Sequence, residues 1–485
     1  METNDDVSLR EQLFHDRVRE IIICVQLFVC LYILSYLILT HFRKNAEFVT
    51  DDVEDATVNK IVLWLCTFTL SVAVGAVLLL PISILSNEVL LTFPHNYYMQ
   101  WLNGSLIHGL WNLVFLFSNL SLVFLMPFAY FFTESEGFVG SKKGVMARVY
   151  ETTVMLLLLS LLVLGIVWVA SALLHDNMAR ENLYDLWEYY LPYLYSCISL
   201  FGVLLLLLCT PFGMSRMFSI TGSLLVKPRV SMQDVGFRGS QAFWVYDPKL
   251  DNSTSCWLIL NIEAMKRQFV SIQAKRMALE TRRKASAWQR NLGYPLVMLL
   301  LLALTVVCVL MVCFHVLELL FDESAMPRGM EDPHLGLASF SMFGSLGATM
   351  QVVLILYLMV SSVVGFYSSP LFSSLLPRAE DTNLTQIIGN CVSLLVLSSA
   401  LPVFSRTLGI TRFDLLGDFG RYNWLGNFHI VFLYNMLFAG LTSACLINTV
   451  TWAVQRELIR AFGYFPFIPC VQNTRTHHLP STKYK

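Results

Sequence analysis

Apart from His429 at the edge of the last run, the long apolar stretches of this sequence hold three side chains that could move a proton: His108, His315 and Glu318. Ionisable residues inside a membrane mark ion or proton pathways by default, because burying an isolated charge in lipid is costly. A relay across a bilayer needs several such groups at successive depths. These three lie near the ends of the stretches that hold them, which speaks against a proton-coupled pump. No GxSxG, HExxH, phosphate-binding loop or metal-spaced Cys/His group occurs. Glu134 and Glu136 fall at the end of the third stretch, where capping or solvated charge is their expected role. No catalytic residue, metal or cofactor is therefore expected, and the chain reads as a non-enzyme.

Neutral polar residues are more informative. Ser105, His108, Asn112 and Asn119 recur at helical seam spacing, as do Gly344, Gly347, Gln351, Ser361 and Gly365. Both faces are expected to point into a bundle. Interhelical hydrogen bonding is one use for them, and Ser361-xxx-Gly365 and Ser71-xxx-Gly75 would allow close helix approach. A substrate path along the seams is the other.

Two further groups could bind a partner. Tyr97, Tyr98 and Trp101 precede the third apolar stretch, and Tyr184, Trp187, Tyr189, Tyr190, Tyr193 and Tyr195 surround the start of the fifth. They read as interfacial anchors, or as a ligand or protein rim. Lys266, Arg267, Lys275, Arg276, Arg282, Arg283 and Lys284 line a segment whose apolar residues Ile262, Met265, Phe269, Ile272 and Leu279 fall at three- and four-residue intervals broken by Arg276, the mark of an amphipathic helix. Such a basic helix beside a membrane sets orientation, binds anionic lipid at about 1 kcal/mol per charge, or packs on a partner.

What must position these residues is a set of membrane helices. A bilayer core takes about 20 apolar residues in helical form. Nine runs qualify: 21–40, 61–84, 106–132, 153–174, 191–208, 296–320, 345–367, 387–403 and 428–454. A composition of 56% hydrophobic and 14% charged residues agrees. The expected fold is all-α, a polytopic bundle of nine transmembrane helices with a partly helical cytosolic loop. Five spans fill residues 1–208, the loop occupies 209–295 with its helix at about 258–291, four spans fill 296–454, and a cytosolic tail follows at 455–485. Pro81, Pro127 and Pro402 fall inside or near the ends of spans, where kinks are expected.

Basic residues favour cytosolic loops. With the N-terminus outside, the inner segments hold 25 Lys and Arg and the outer ones 8, with Arg406, Arg412 and Arg421 among the outer. This predicts a cytosolic C-terminus. Residues 1–20 show no cleavable leader, so the first span is the expected targeting signal. Of the four sequons, Asn103 alone lies where a glycan could be attached. Asn119 falls within a span, and Asn252 and Asn383 on the cytosolic side. Nine of the eleven cysteines lie in or at the ends of spans, so no disulfide-stapled ectodomain is expected. A net charge of −1 gives no hint of nucleic acid, and the partners to seek are lipid and protein.

The segments NYYMQWLNGSLIHGLWNLVFLFSNL at 96–120, FAYFFTESEGF at 128–138 and SRTLGITRFDLLGDFGRYNWLGNF at 405–428 resemble the limb-region and lipocalin-interacting membrane receptor family. So do WEYYLPYLYSCISL, RRKASAWQRNLGYP and YLMVSSVVGFYSSPLF, and the likeness extends over nearly all of residues 10–465. The resemblance implies a multi-pass membrane receptor of the plasma membrane and/or endoplasmic reticulum. It also implies engagement of lipocalin-type ligands for endocytosis, or restraint of Wnt signalling through receptor turnover, with trafficking or degradation machinery as cytosolic partners. Residues 230–257 depart from the Glu-rich stretch that close members carry there. A carrier for a small lipophilic molecule is the alternative.

Overall fold

The computed structural model describes residues 2–44, 53–92, 104–135, 144–174, 186–225, 293–321, 345–378, 381–411 and 427–462. Among them are nine helices long and apolar enough to cross a membrane, as the hydropathy pattern predicts. In chain order the elements are α1 (Glu2–Phe42), α2 (Val53–Thr92), α3 (Gly104–Leu120), α4 (Met126–Glu134), α5 (Val145–Leu174), α6 (Leu186–Leu225), α7 (Tyr294–Phe321), α8 (Ser345–Ser368), α9 (Leu384–Ser399), α10 (Leu401–Thr407) and α11 (Phe428–Phe462). Span 3 is α3 and α4 together, and span 8 is α9 and α10 together. The other spans are one helix each.

Each proline expected to kink a span meets a different local solution. Pro81 stays within α2. Pro127 follows one widened π turn, Ser121–Leu125, which makes room where the ring would crowd the carbonyl of the preceding turn. Pro402 coincides with the break at Ala400 between α9 and α10. α6 runs on past Leu208, where hydropathy alone ends the fifth span, and carries Pro211 in its interior.

α6 and α8 pack most extensively and form the centre of the bundle, with α2 and α9 beside them. Span 8 is the most buried of the nine and span 1 the least. Large side chains such as Trp111, Phe115, Tyr195, Phe366, Phe404 and Phe438 fill the interior. At the crossing of α6 and α8 the backbones touch. A Cβ added to Gly213 would collide with the Ser361 carbonyl, and one added to Gly365 with that of Cys209. Thr210 and Ser362 share a hydrogen bond of 2.7 Å across the same point. Ser361-xxx-Gly365 thus does what its spacing predicts. Ser71-xxx-Gly75 does not: a Cβ on Gly75 would meet only the tip of Leu31 at 3.4 Å, so no backbone crosses there.

The described part of the connection between spans 7 and 8 is held by side chains. Phe372 stacks on Phe366 at 4.3 Å, Asn390 donates to the Leu375 carbonyl at 2.8 Å, and Tyr367 donates to Asn390 at 3.0 Å. Asn383 and Gln386 form a capping box that starts α9. Near the same end, Arg148 on α5 pairs with Asp55 on α2 at 2.6 Å.

Candidate functional site

Irregular backbone at membrane depth is tolerated only where protein or a cavity receives it, and the break in span 8 is such a place. Pro402 has no N–H to donate to the turn before it, and the carbonyls around Ala400 need other donors. Tyr195 on α6 supplies one, its hydroxyl donating to the Ser399 carbonyl at 2.8 Å. Gly202, one heptad further along α6, lets Ala400 and Val396 approach so closely that a Cβ there would meet them at 2.5 and 2.9 Å.

α10 then lasts only to Thr407, and the chain turns back within the protein. Gly409 takes a left-handed φ of 70°. Its N–H donates to the Arg406 carbonyl at 3.1 Å, and that of Ile410 to the Ser405 carbonyl at 2.9 Å. This is a glycine-closed helix end, buried from Leu401 through Thr411. A helix end inside a bundle leaves carbonyls to be satisfied, and polar side chains from neighbouring spans do it. Asn435 on α11 donates to the Thr407 carbonyl at 2.8 Å. Gln351 on α8 donates to the Ile410 carbonyl at 3.2 Å. His315 on α7 lies so close over Gly409 that a Cβ there would meet its ring at 2.5 Å. Arg406, in the last turn of α10, adds a positive charge at the negative end of the helix dipole.

The helix end thus sits in a nest of polar groups from four spans. Gln351 and Asn435 are both fully buried, and each amide gives its N–H to the turn while its oxygen has no hydrogen-bond partner among the described residues. Glu318 stands 3.9 Å from His315 and is partly exposed. The set contains no nucleophile beside a base and no paired carboxylates. Its chemistry is hydrogen bonding and charge stabilisation.

The predicted polar stripe on span 3 divides. Asn119 is buried and His108 half-buried, but Asn112 is exposed. The expectation that this whole face points inward is corrected, because Trp111 and Phe115, on the strip beside it, take the interior. Trp111 is stacked on Phe115 at 5.4 Å and donates from Nε1 to Ser83 at 3.0 Å. Asn112→Leu is accordingly expected to leave thermal stability in detergent within about 0.5 kcal/mol of the parent, and a clear loss would restore an interior role. Gln351 is inward as predicted.

Two further expectations change. Arg406 is not in an outer loop but buried in the last turn of span 8, because the helix continues past Val403, where hydropathy ends it. Tyr195 is not an interfacial anchor but a buried donor between helices. Trp187 and Tyr190 fall on the first turns of α6. Tyr97, Tyr98, Trp101, Asn103 and the basic cluster Lys266, Arg267, Lys275, Arg276, Arg282, Arg283 and Lys284 lie outside the described residues. Asn435 was missed, though it is a polar residue within an apolar run. Among the described residues no group of three His, Cys, Asp or Glu could hold a metal, and Cys30, Cys66, Cys197, Cys209, Cys308, Cys313 and Cys391 are free thiols.

Comparison with known proteins places this architecture. A family model described as LMBR1-like membrane protein matches residues 20–240 and 247–450. The break between the two matches falls inside residues 230–257. Limb region 1 homolog-like protein of Danio rerio is 81% identical over 469 residues, covering 96% of this chain and 94% of that protein. Protein LMBR1L of Homo sapiens is 70% identical over 460 residues, 94% of each. Limb region 1 protein homolog of Gallus gallus is 59% identical over 466 residues, 95% of this chain and 94% of the other. No solved structure matches.

Proposed function

The chain belongs to the family of LMBR1-like membrane proteins, and from that premise we propose that it is a non-enzymatic multi-pass receptor or trafficking scaffold. Its N-terminus faces outside and its C-terminus the cytosol, in the plasma membrane and/or endoplasmic reticulum. The outer aromatic residues engage a ligand of lipocalin type, and the basic cytosolic segment engages trafficking or degradation machinery, coupling the protein to endocytosis or to the receptor turnover that restrains Wnt signalling.

One observation carries this reading over a transporter's: the polar side chains of the spans are used to tie helices together. Tyr434 donates to the Val203 carbonyl at 3.1 Å, and Thr305 and Tyr357 share a bond of 2.7 Å. With Tyr195, Gln351, Asn435 and the Thr210–Ser362 pair, they join spans 5 to 9 into one frame, and Trp111 ties span 3 to span 2. A rigid frame suits a protein that presents surfaces.

Proximity labelling in cells, with residues 230–290 present or deleted, tests the proposal. Ubiquitin and degradation factors lost on deletion support turnover control, and endocytic adaptors lost on deletion support uptake. A labelled set that deletion leaves unchanged would sink the scaffold role of that segment. The second reading, a carrier for a small lipophilic molecule, draws on the apolar groove described next. Flux of a lipophile across liposomes containing the protein would favour it.

A further inference from the structure

Spans 1, 2 and 3 line a groove of about 530 Å³. It runs from Ile21 to Leu31 along α1, from Leu79 to Phe68 along α2 and from Leu106 to Phe117 along α3. At a rise of 1.5 Å per residue each edge is about 16 Å long, close to half the bilayer's hydrocarbon core of about 30 Å. Its upper end coincides with the first residues of spans 1 and 3. The groove therefore extends from one membrane surface to the midplane, the depth of a single leaflet.

Two glycines keep it open. A Cβ on Gly109 would meet nothing within 4 Å, and one on Gly75 only Leu31. The lining is apolar apart from Cys24 and the hydroxyl of Ser71, and that hydroxyl is bonded to the Phe68 carbonyl of its own helix at 2.6 Å. Nothing along its length invites a polar occupant. Its outer wall is α1, which packs chiefly on α2 and is the least buried span, so the groove opens sideways toward lipid.

We infer that this groove is a binding site for one unbranched acyl chain of a phospholipid from the surrounding leaflet, entering laterally beside α1. Length, depth and lining each match such a chain. The inference rests on the membrane setting alone and holds for a receptor as for a carrier, so a failed flux or proximity experiment leaves it standing.

The test uses the full chain in nanodiscs of phosphatidylcholine, a small fraction of which carries a diazirine near the end of one acyl chain. After irradiation, adducts on α1–α3 peptides are compared with those on the exposed face of α7, where Leu296, Leu299 and Phe314 face outward. The expected result is more adduct in the groove than on α7, falling about tenfold in Gly109→Leu, which fills the slot. Leu113→Trp, narrowing the same groove, is read alongside, so that poor folding of one variant does not shield the inference. Groove labelling equal to that of α7, or unchanged in the filled variants, would overturn it. So would labelling by a free diazirine fatty acid but not by the phospholipid.

Discussion

Gly365→Val is expected to leave almost no folded protein, and Gly213→Val the same, for a reason that lies in backbone and not in side chains. At the crossing of α6 and α8 each glycine faces a carbonyl of the other helix, and a Cβ on either would collide with it. A clash with a flexible side chain can relax by a rotamer change. A clash with a carbonyl can be relieved only by moving a helix. Separating these two also breaks the 2.7 Å bond between Thr210 and Ser362 and opens the interior around Leu206, Leu358 and Phe366. Overpacking of this kind costs about 3 kcal/mol or more, a large share of a typical folding free energy. Even alanine brings the colliding atom, so Gly213→Ala and Gly365→Ala should fail in the same assay. Gly165 and Gly440 are the internal controls, because a Cβ on either meets nothing within 4 Å. Gly440→Ala is expected to be neutral or to gain up to about 1 kcal/mol from helix propensity. Monodisperse elution and melting temperature in detergent read all of these. A Gly365→Val protein that elutes and melts like the parent would show that the helices do not cross here.

Half of that crossing could be read from the sequence. Ser361 and Gly365 stand four apart in an apolar run and announce a close approach, but nothing in the string announces Gly213 as the partner. Hydropathy falls at Cys209, Thr210 and Pro211, so a window ends the fifth span there. The helix nevertheless continues, because neighbouring helices in a bundle re-satisfy the groups that a proline frees. The same limit hid Arg406, which a charge-averse window assigns to a loop, although polar groups of three neighbouring spans surround the helix end that carries it. Asn112 shows the opposite error. Seam spacing is shared by every residue near one face, and which strip turns inward was decided by Trp111 and Phe115, whose burial outweighs that of an amide. Number and order of spans follow from local composition, whereas pairing and rotation follow from contacts far apart in the chain.

Gly409→Ala is expected to be the second most damaging change, and its cost can be divided between two causes. One is conformational: at φ 70° an L-residue is disfavoured by about 1–2 kcal/mol. The other is steric, because the new methyl would lie 2.5 Å from two atoms of the His315 ring. Combining the change with His315→Gly removes the ring and hence the second cause alone. The double variant is expected to be less impaired than the sum of the two single variants, and its deficit relative to His315→Gly alone to approach the conformational cost. Asn435→Leu completes the series, since it takes the donor from the Thr407 carbonyl and leaves a helix end in an apolar interior, a loss of about 1–3 kcal/mol. Asn435→Leu and Gly409→Ala act on one turn, so their effects should couple and not add. Strict additivity in melting temperature would mean that the nest around the end of α10 does not behave as a unit, and the polar groups of α7, α8 and α11 would then be separate features of the bundle.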